Sequence, residues 1–225
     1  MQEILTLKEN AVLQSRQEWQ SAIEQASKLN LPLHPDPPKN WDSLIALAAI
    51  LKRTDKTATI LDAGAETYSK ILPWLSLYSY QNLLGINLVF DRPVQCGSIV
   101  YEYADLTQTK YTANSFDAIT CLSVIEHDVN LSAYFQEMSR LLKPGGLLIT
   151  STDYYAEPID TKDKVAFGVP VRIFSRAQVE EILELAASFD LNLTSEIELG
   201  CTEKAISWLE LSYTFVVFTL QKSYK

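Results

Sequence analysis

Residues 115–152, SFDAITCLSVIEHDVNLSAYFQEMSRLLKPGGLLITST, read as strand, amphipathic helix, glycine turn and strand, with polar groups at the ends of both strands. The helix is legible from spacing: Leu131, Tyr134, Phe135, Met138, Leu141 and Leu142 fall at i, i+3, i+4, i+7, i+10 and i+11, one apolar stripe. Lys143 stands at its end, where a cation meets the helix dipole, and Pro144, Gly145 and Gly146 stop it before the apolar run Leu147, Leu148, Ile149. Two parallel strands with a crossover helix follow, and an open sheet of that kind keeps its ligand at the carboxyl ends of its strands.

The same alternation extends over most of the chain. Strands are predicted at 58–63, 82–88, 99–104, 116–122 and 146–151, with a helix at 68–77 broken or begun around Pro73. The link 89–98 is too short for a helix. Such alternation requires a doubly wound, mostly parallel α/β sheet. Ser175 with Gln178 three residues on is a capping box, onto which Phe174 can staple Val179. Beyond that helix, 191–197 and 211–220 read as an antiparallel pair of strands.

Ahead of the alternating region, 9–29 has a one-face repeat through Trp19, Ala22, Ile23 and Ala26 and is predicted helical. Pro32, Pro35, Pro37 and Pro38 then make a stiff strap, and His34 within it has no visible partner. A further helix over 41–52 opens with Asn40 as N-cap. At 225 residues the chain is read as one domain, with 1–40 as helix and strap joined to a main body at 41–225.

With Phe116 and Asp117, Ser123 to His127 (SVIEH) and Arg140 to Gly146 (RLLKPGG) in place, this region resembles the class I S-adenosylmethionine-dependent methyltransferases of the small-molecule branch. Ile60 to Ala65 (ILDAGA) is similar to that family's first motif. The resemblance covers roughly residues 41–220 and implies a Rossmann-like sheet of seven strands with an antiparallel C-terminal strand. It also implies S-adenosylmethionine as cofactor and methyl transfer to a small-molecule or carrier-linked acceptor, a sugar or glycan being the first expectation.

Residue by residue, the resemblance places the cofactor against Asp62, Gly64, Ala65 and Glu66, then Asn87 and Leu88, then Asp105 and Leu106, then Leu122 and Ser123. Two departures stand out. The family's second and third glycines are here Glu66 and Tyr68, and its ribose-binding acid is Asn87, whose amide loses a charge-assisted hydrogen bond. On that reading Asn87→Asp would tighten cofactor binding. Asp105 corresponds to the adenine-side acid, and an isolated Asp-Leu-Thr is equally a turn cap.

For the acceptor side the candidates are His127, whose ordinary pKa suits proton transfer near neutrality, and Asp153 as a second base. Tyr154 and Tyr155 are candidate pocket walls, and 159–172 a candidate lid. There is no Asn-Pro-Pro-Tyr run, which the resemblance would tie to nucleobase amines.

A net charge of −9 with scattered basic residues argues against a nucleic-acid ligand. Cys96, Cys121 and Cys201 lie far apart in no metal-ligand spacing, so reduced thiols and no metal site are expected. Neither a signal peptide nor an apolar run of ~18 residues is evident, which makes the expected location cytoplasmic. Glu66, Tyr68 and Asn87 keep open a second reading, a catalytically inactive binding or scaffold protein of the same fold. A nicotinamide-dependent oxidoreductase is disfavoured, because the first turn lacks G-x-G-x-x-G.

Overall fold

The computed structural model describes residues 6–224; residues 1–5, on which the reading of the N-terminus rests, lie outside the described part. In chain order the elements are β1 (Ala11–Val12), α1 (Arg16–Lys28), α2 (Lys39–Arg53), β2 (Thr59–Ala63), α3 (Ile71–Leu77), β3 (Asn82–Asn87), β4 (Val94–Cys96), β5 (Ile99–Tyr103) and β6 (Phe116–Leu122). There follow α4 (Leu131–Leu141), β7 (Leu142–Tyr154), β8 (Val165–Ala166), β9 (Val169–Pro170), α5 (Arg176–Ala187), β10 (Leu191–Leu193), β11 (Ile206–Trp208) and β12 (Leu211–Lys222).

The main sheet runs β1-β12-β7-β6-β2-β3-β5-β4. Strands β5, β3, β2, β6 and β7 are parallel, and β12 lies antiparallel on β7 from Tyr154↔Thr214 to Leu147↔Gln221. With β10 these are the seven expected strands. Three short ones bring the sheet to ten. β4 folds back onto β5 across the 89–98 link, while β11, β1 and β10 occupy successive stretches of the outer edge of β12. That edge would otherwise expose a row of unpaired backbone groups.

Period-two alternation sends neighbouring side chains to opposite faces. Ile60, Leu147, Ile149, Phe215 and Val217 pack with α2 and α3 residues such as Leu44, Leu47, Ile50 and Trp74. Leu61, Leu148, Val216 and Phe218 pack on the other face with Tyr134, Phe135, Met138, Val179 and Ile182 of α4 and α5. Cys121 is buried in this second layer, and all three cysteines are free thiols. Helix α2 is buried almost all round because α1 lies over its outer side.

Several local expectations are corrected. The first helix begins at Arg16 rather than at residue 9, because Ser15 caps it by accepting from the Glu18 N–H, and residues 11–12 pair with β12 instead. Asn40 is no N-cap: it sits in the first turn of α2, accepts from the His34 N–H at 2.9 Å and donates to the Pro37 carbonyl at 2.8 Å, tying the strap to the helix. Lys143 pairs with Asp117 at 2.7 Å, since α4 has already ended at Leu141. The Ser175–Gln178 capping box is present as expected. Among the described residues no helix is long and apolar enough to cross a membrane.

Candidate active site

The chain proceeds from β2 to β3 on one side and returns through β6 on the other, so the strand order reverses between β2 and β6. At such a point the loops leaving the strand ends diverge and open a crevice. Asp62 stands at the β2 edge of it, 3% exposed, accepting from the Thr120 hydroxyl at 2.7 Å. Burial, with Asp42 nearby, pushes its carboxyl up to about 7 despite that hydrogen bond.

Gly64 follows in a left-handed conformation (φ +91°), and an added Cβ would meet Val124 Cγ2 at 2.3 Å. Glycine is therefore required here by both backbone and packing. The N–H groups of Gly64 and Ala65 donate to the Ile86 carbonyl at 2.8 and 3.0 Å, which folds the turn against β3. Glu66 lies at the half-exposed rim, its carboxyl raised by desolvation, and its N–H is met by the Ser69 hydroxyl.

Asn87 faces this turn. Its Nδ2 donates to the Gly64 and Ala65 carbonyls at 3.2 and 3.1 Å, and its Oδ1 accepts from the Val89 N–H at 3.4 Å. A carboxylate in its place would confront those two carbonyl oxygens. Leu88 is exposed. Asp105 is exposed too, with Oδ1 accepting from the Thr107 N–H and hydroxyl at 2.8 and 2.6 Å, a self-contained turn that leaves Oδ2 free; Leu106 beside it is half-buried.

At the ends of β6 and β7 the polar groups crowd together. Ser123 takes a left-handed conformation (φ 55°) and donates its N–H to the Ser151 carbonyl and hydroxyl. Its own hydroxyl accepts from Lys39 Nζ, and Lys39 lies 3.8 Å from Asp42 Oδ2 and 3.8 Å above the Phe215 ring. Asp42, fully buried, accepts from the Ser151 hydroxyl at 2.7 Å. Glu126, 1% exposed, accepts from the Thr152 hydroxyl at 2.9 Å. Asp153, 3% exposed, has its carboxyl raised first by burial and then by Glu126, with Lys39 opposing.

His127 is half-buried with its Nδ1 buried and unpartnered, and its ring meets Phe167 edge-on at 5.1 Å between centroids. Burial, then the charge of Lys39, hold its pKa below the ordinary histidine value. Phe167 belongs to the hairpin β8–β9, which is joined to this end of the sheet by Arg172 N–H to the Glu126 carbonyl and by an Arg172–Asp128 ion pair at 2.9 Å.

The structure thus brings Asp62, Gly64 and Leu122 into one cavity, whose lining does not include Asp105 or Leu106. The pocket-wall assignment of Tyr154 is corrected: it is fully buried and donates to the Leu199 carbonyl, because β7 continues to residue 154 and alternation turns it to the face opposite Asp153. Tyr155, half-buried, lies under the Lys204 ammonium at 4.5 Å. Sequence reasoning missed Lys39, Asp42, His34, Ser151 and Phe215. An aspartate inside the apolar run from Trp41 to Ile50 was the available signal, since a buried carboxylate there needs partners. His34, Lys39, Asp42, Ser69 and Lys70 enclose, with the β2 end, a cavity of about 30 Å³.

A family model described as Methyltransferase domain matches residues 87–150. Sterol 24-C-methyltransferase of Debaryomyces hansenii is 27% identical over 113 residues, 46% of this chain and 29% of that protein. Phosphoethanolamine N-methyltransferase 1 of Triticum aestivum is 31% identical over 137 residues, 54% of this chain and 27% of that protein. The matched part thus spans less than a third of either relative. Among solved structures, an S-adenosylmethionine dependent methyltransferase from Mesorhizobium loti superimposes with a TM-score of 0.60 at 18% identity, covering 80% of this chain and 98% of that one.

Proposed function

We propose that this chain, which belongs to the class I S-adenosylmethionine-dependent methyltransferase family, transfers the methyl group of that cofactor to a small-molecule or carrier-linked acceptor. One observation carries the reading: the polar ends of β2, β6 and β7 converge with the first turn of α2 at the point where the strand order reverses. The SVIEH run and Ser151 to Tyr154 (STDY) resemble methyltransferases found among glycan-assembly enzymes, which makes a sugar or glycan the first acceptor to test.

The donor set suits an amino-acid zwitterion. Asp62 and Asp42 would hold the cofactor's ammonium, and Lys39 and Lys70 its carboxylate. Gly64 keeps the turn free of a Cβ, Asn87 offers Oδ1 toward the ribose, and Asp105 with the Leu106 N–H suits the adenine edge. When bound, S-adenosylmethionine supplies a methyl group already activated on a sulfonium. The protein's task is then alignment and exclusion of water. Phe167 and its hairpin would cover the acceptor, and His127 and Asp153 are the groups able to take its proton.

The cavity beside Lys39 is small, so a shift of the strap, residues 31–39, would give the cofactor room to enter. The same closure, with the Asn87 donor arm spent on the turn, favours the second reading, an inactive binding or scaffold protein. Calorimetric titration separates the two. We expect S-adenosylmethionine and S-adenosylhomocysteine to bind with Kd in the micromolar to sub-millimolar range, and Asn87→Asp to weaken both by about tenfold. Affinity should be higher at about pH 8 than at about pH 6, because the ligand's ammonium favours ionised Asp62 and acidification through its raised pKa protonates it. No heat at millimolar ligand would leave the second reading standing.

A further inference from the structure

The parallel register sets Tyr101, Gly85, Asp62 and Thr120 side by side across β5, β3, β2 and β6, so all four belong to one face of the sheet. Gly85 adds no side chain to this row. The Tyr101 ring fills the place one would take, since an added Cβ would meet Tyr101 Cδ1 at 2.5 Å. On its other side Asp62 accepts from the fully buried Thr120 hydroxyl at 2.7 Å, the one hydrogen bond that the described residues give its carboxyl. Oδ1 is engaged; Oδ2 makes no such bond, and Asp62 lines the cavity.

Thr120 is the polar exception in its stretch of β6, where Ala118, Ile119 and Cys121 are all fully buried. A valine would fill the same volume without burying a hydroxyl, so packing alone does not call for threonine here. The hydroxyl has one proton and two acceptors in reach, Asp62 Oδ1 at 2.7 Å and the Leu61 carbonyl at 3.4 Å. The shorter bond is charge-assisted when Asp62 is ionised, and it is the stronger for that. A protonated Asp62 can donate to the Thr120 oxygen while the hydroxyl proton turns to Leu61, a weaker arrangement. Without the hydroxyl, a buried carboxylate would have no donor at all.

Resting on the methyl-transfer reading above, we propose that Thr120 is a positioning residue of the cofactor site: its hydroxyl anchors Asp62 Oδ1 so that Oδ2 meets the ammonium of S-adenosylmethionine. Thr120 itself touches no ligand and acts through Asp62. The other groups whose charge couples to Asp62 are Asp42 from α2, the Tyr101 phenol from β5 and the Cys121 thiol from β6. Burial keeps the phenol and the thiol neutral. His34, Lys39 and Lys70 line the cavity with Asp62, and Asp42 is raised by burial as well. Asp62→Asn is therefore the control that identifies which titration step belongs to Asp62.

The test follows the isotope-labelled side-chain carboxyl carbons of aspartate by NMR in the full chain without ligand, and the Kd of S-adenosylhomocysteine by calorimetry, both from about pH 5 to about pH 9. The step that Asp62→Asn removes, expected at about 7, should move up by about one pH unit or more in Thr120→Val and in Thr120→Ala. The sign follows because losing a donor to the ionised form disfavours that form. Thr120→Ser should restore the wild-type midpoint. Affinity should follow: about fivefold weaker or more at pH 7 in Thr120→Val, less affected at about pH 9, and recovered in Thr120→Ser. A midpoint unmoved in both hydroxyl-free variants overturns the proposal. So does an equal loss of affinity at every pH, which is what a threonine needed only for packing would give. A moved midpoint in a chain that binds no S-adenosylhomocysteine at any pH supports the hold of Thr120 on Asp62 and removes the methyl-transfer reading instead.

Discussion

Gly64→Ala is expected to lower stability by about 2–5 kcal/mol and to abolish cofactor binding. Two independent causes add: an L-residue at φ +91° is strained, and its Cβ would stand 2.3 Å from Val124 Cγ2. Val124 cannot retreat freely, since it packs against the buried layer of α4 and α5. Denaturant unfolding of three variants separates the causes. In Gly64→Ala/Val124→Ala the steric part should be relieved and the backbone part kept, so the double variant should be more stable than the sum of the two single changes. A cost for Gly64→Ala of less than about 0.5 kcal/mol would mean that the first turn is not built as described.

The second large effect concerns His127. Its imidazole is kept neutral at pH 7 by burial and by the Lys39 charge, the form that can accept a proton. His127→Ala should therefore lower turnover by roughly 10²-fold while leaving cofactor affinity nearly unchanged. In the native protein the rate should fall on acidification only below the ordinary histidine range, because the folded-state pKa is depressed. Melting temperature measured alongside turnover decides the role. Retained turnover with a lowered melting point would assign His127 to packing against Phe167 alone.

The parallel core was legible because its signals are local: the α4 stripe, the Ser175 capping box and the run of apolar strands each depend on residues close in sequence. Gly64 was legible for the same reason. The contacts of Asn87 and the burial of Tyr154 were not legible because both depend on where a side chain points. For Tyr154 that turned on β7 extending three residues past the expected end at 151, which fixed its face of the sheet. Asn87 turned inward because the Gly64 and Ala65 carbonyls needed donors, a demand visible only once β2 and β3 are paired. The largest omission was Lys39 and Asp42: the strap was read as an appendage, and the second helix was read without regard to its buried aspartate. Their side chains reach Ser123 and Ser151, more than eighty residues further along the chain in each case.

The central claim is that the crevice at the ends of β2, β5 and β6 is the cofactor site. Hydrogen exchange with saturating S-adenosylhomocysteine tests it most directly, because protection reports where a ligand sits as well as whether it binds. The account predicts slowed exchange confined to amides 64–69, 105–107 and 122–127, together with altered exchange in the strap at 31–39. Protection elsewhere, for example along the opposite end of the sheet at 54–57 and 78–80, with the 64–69 turn unchanged, would contradict it.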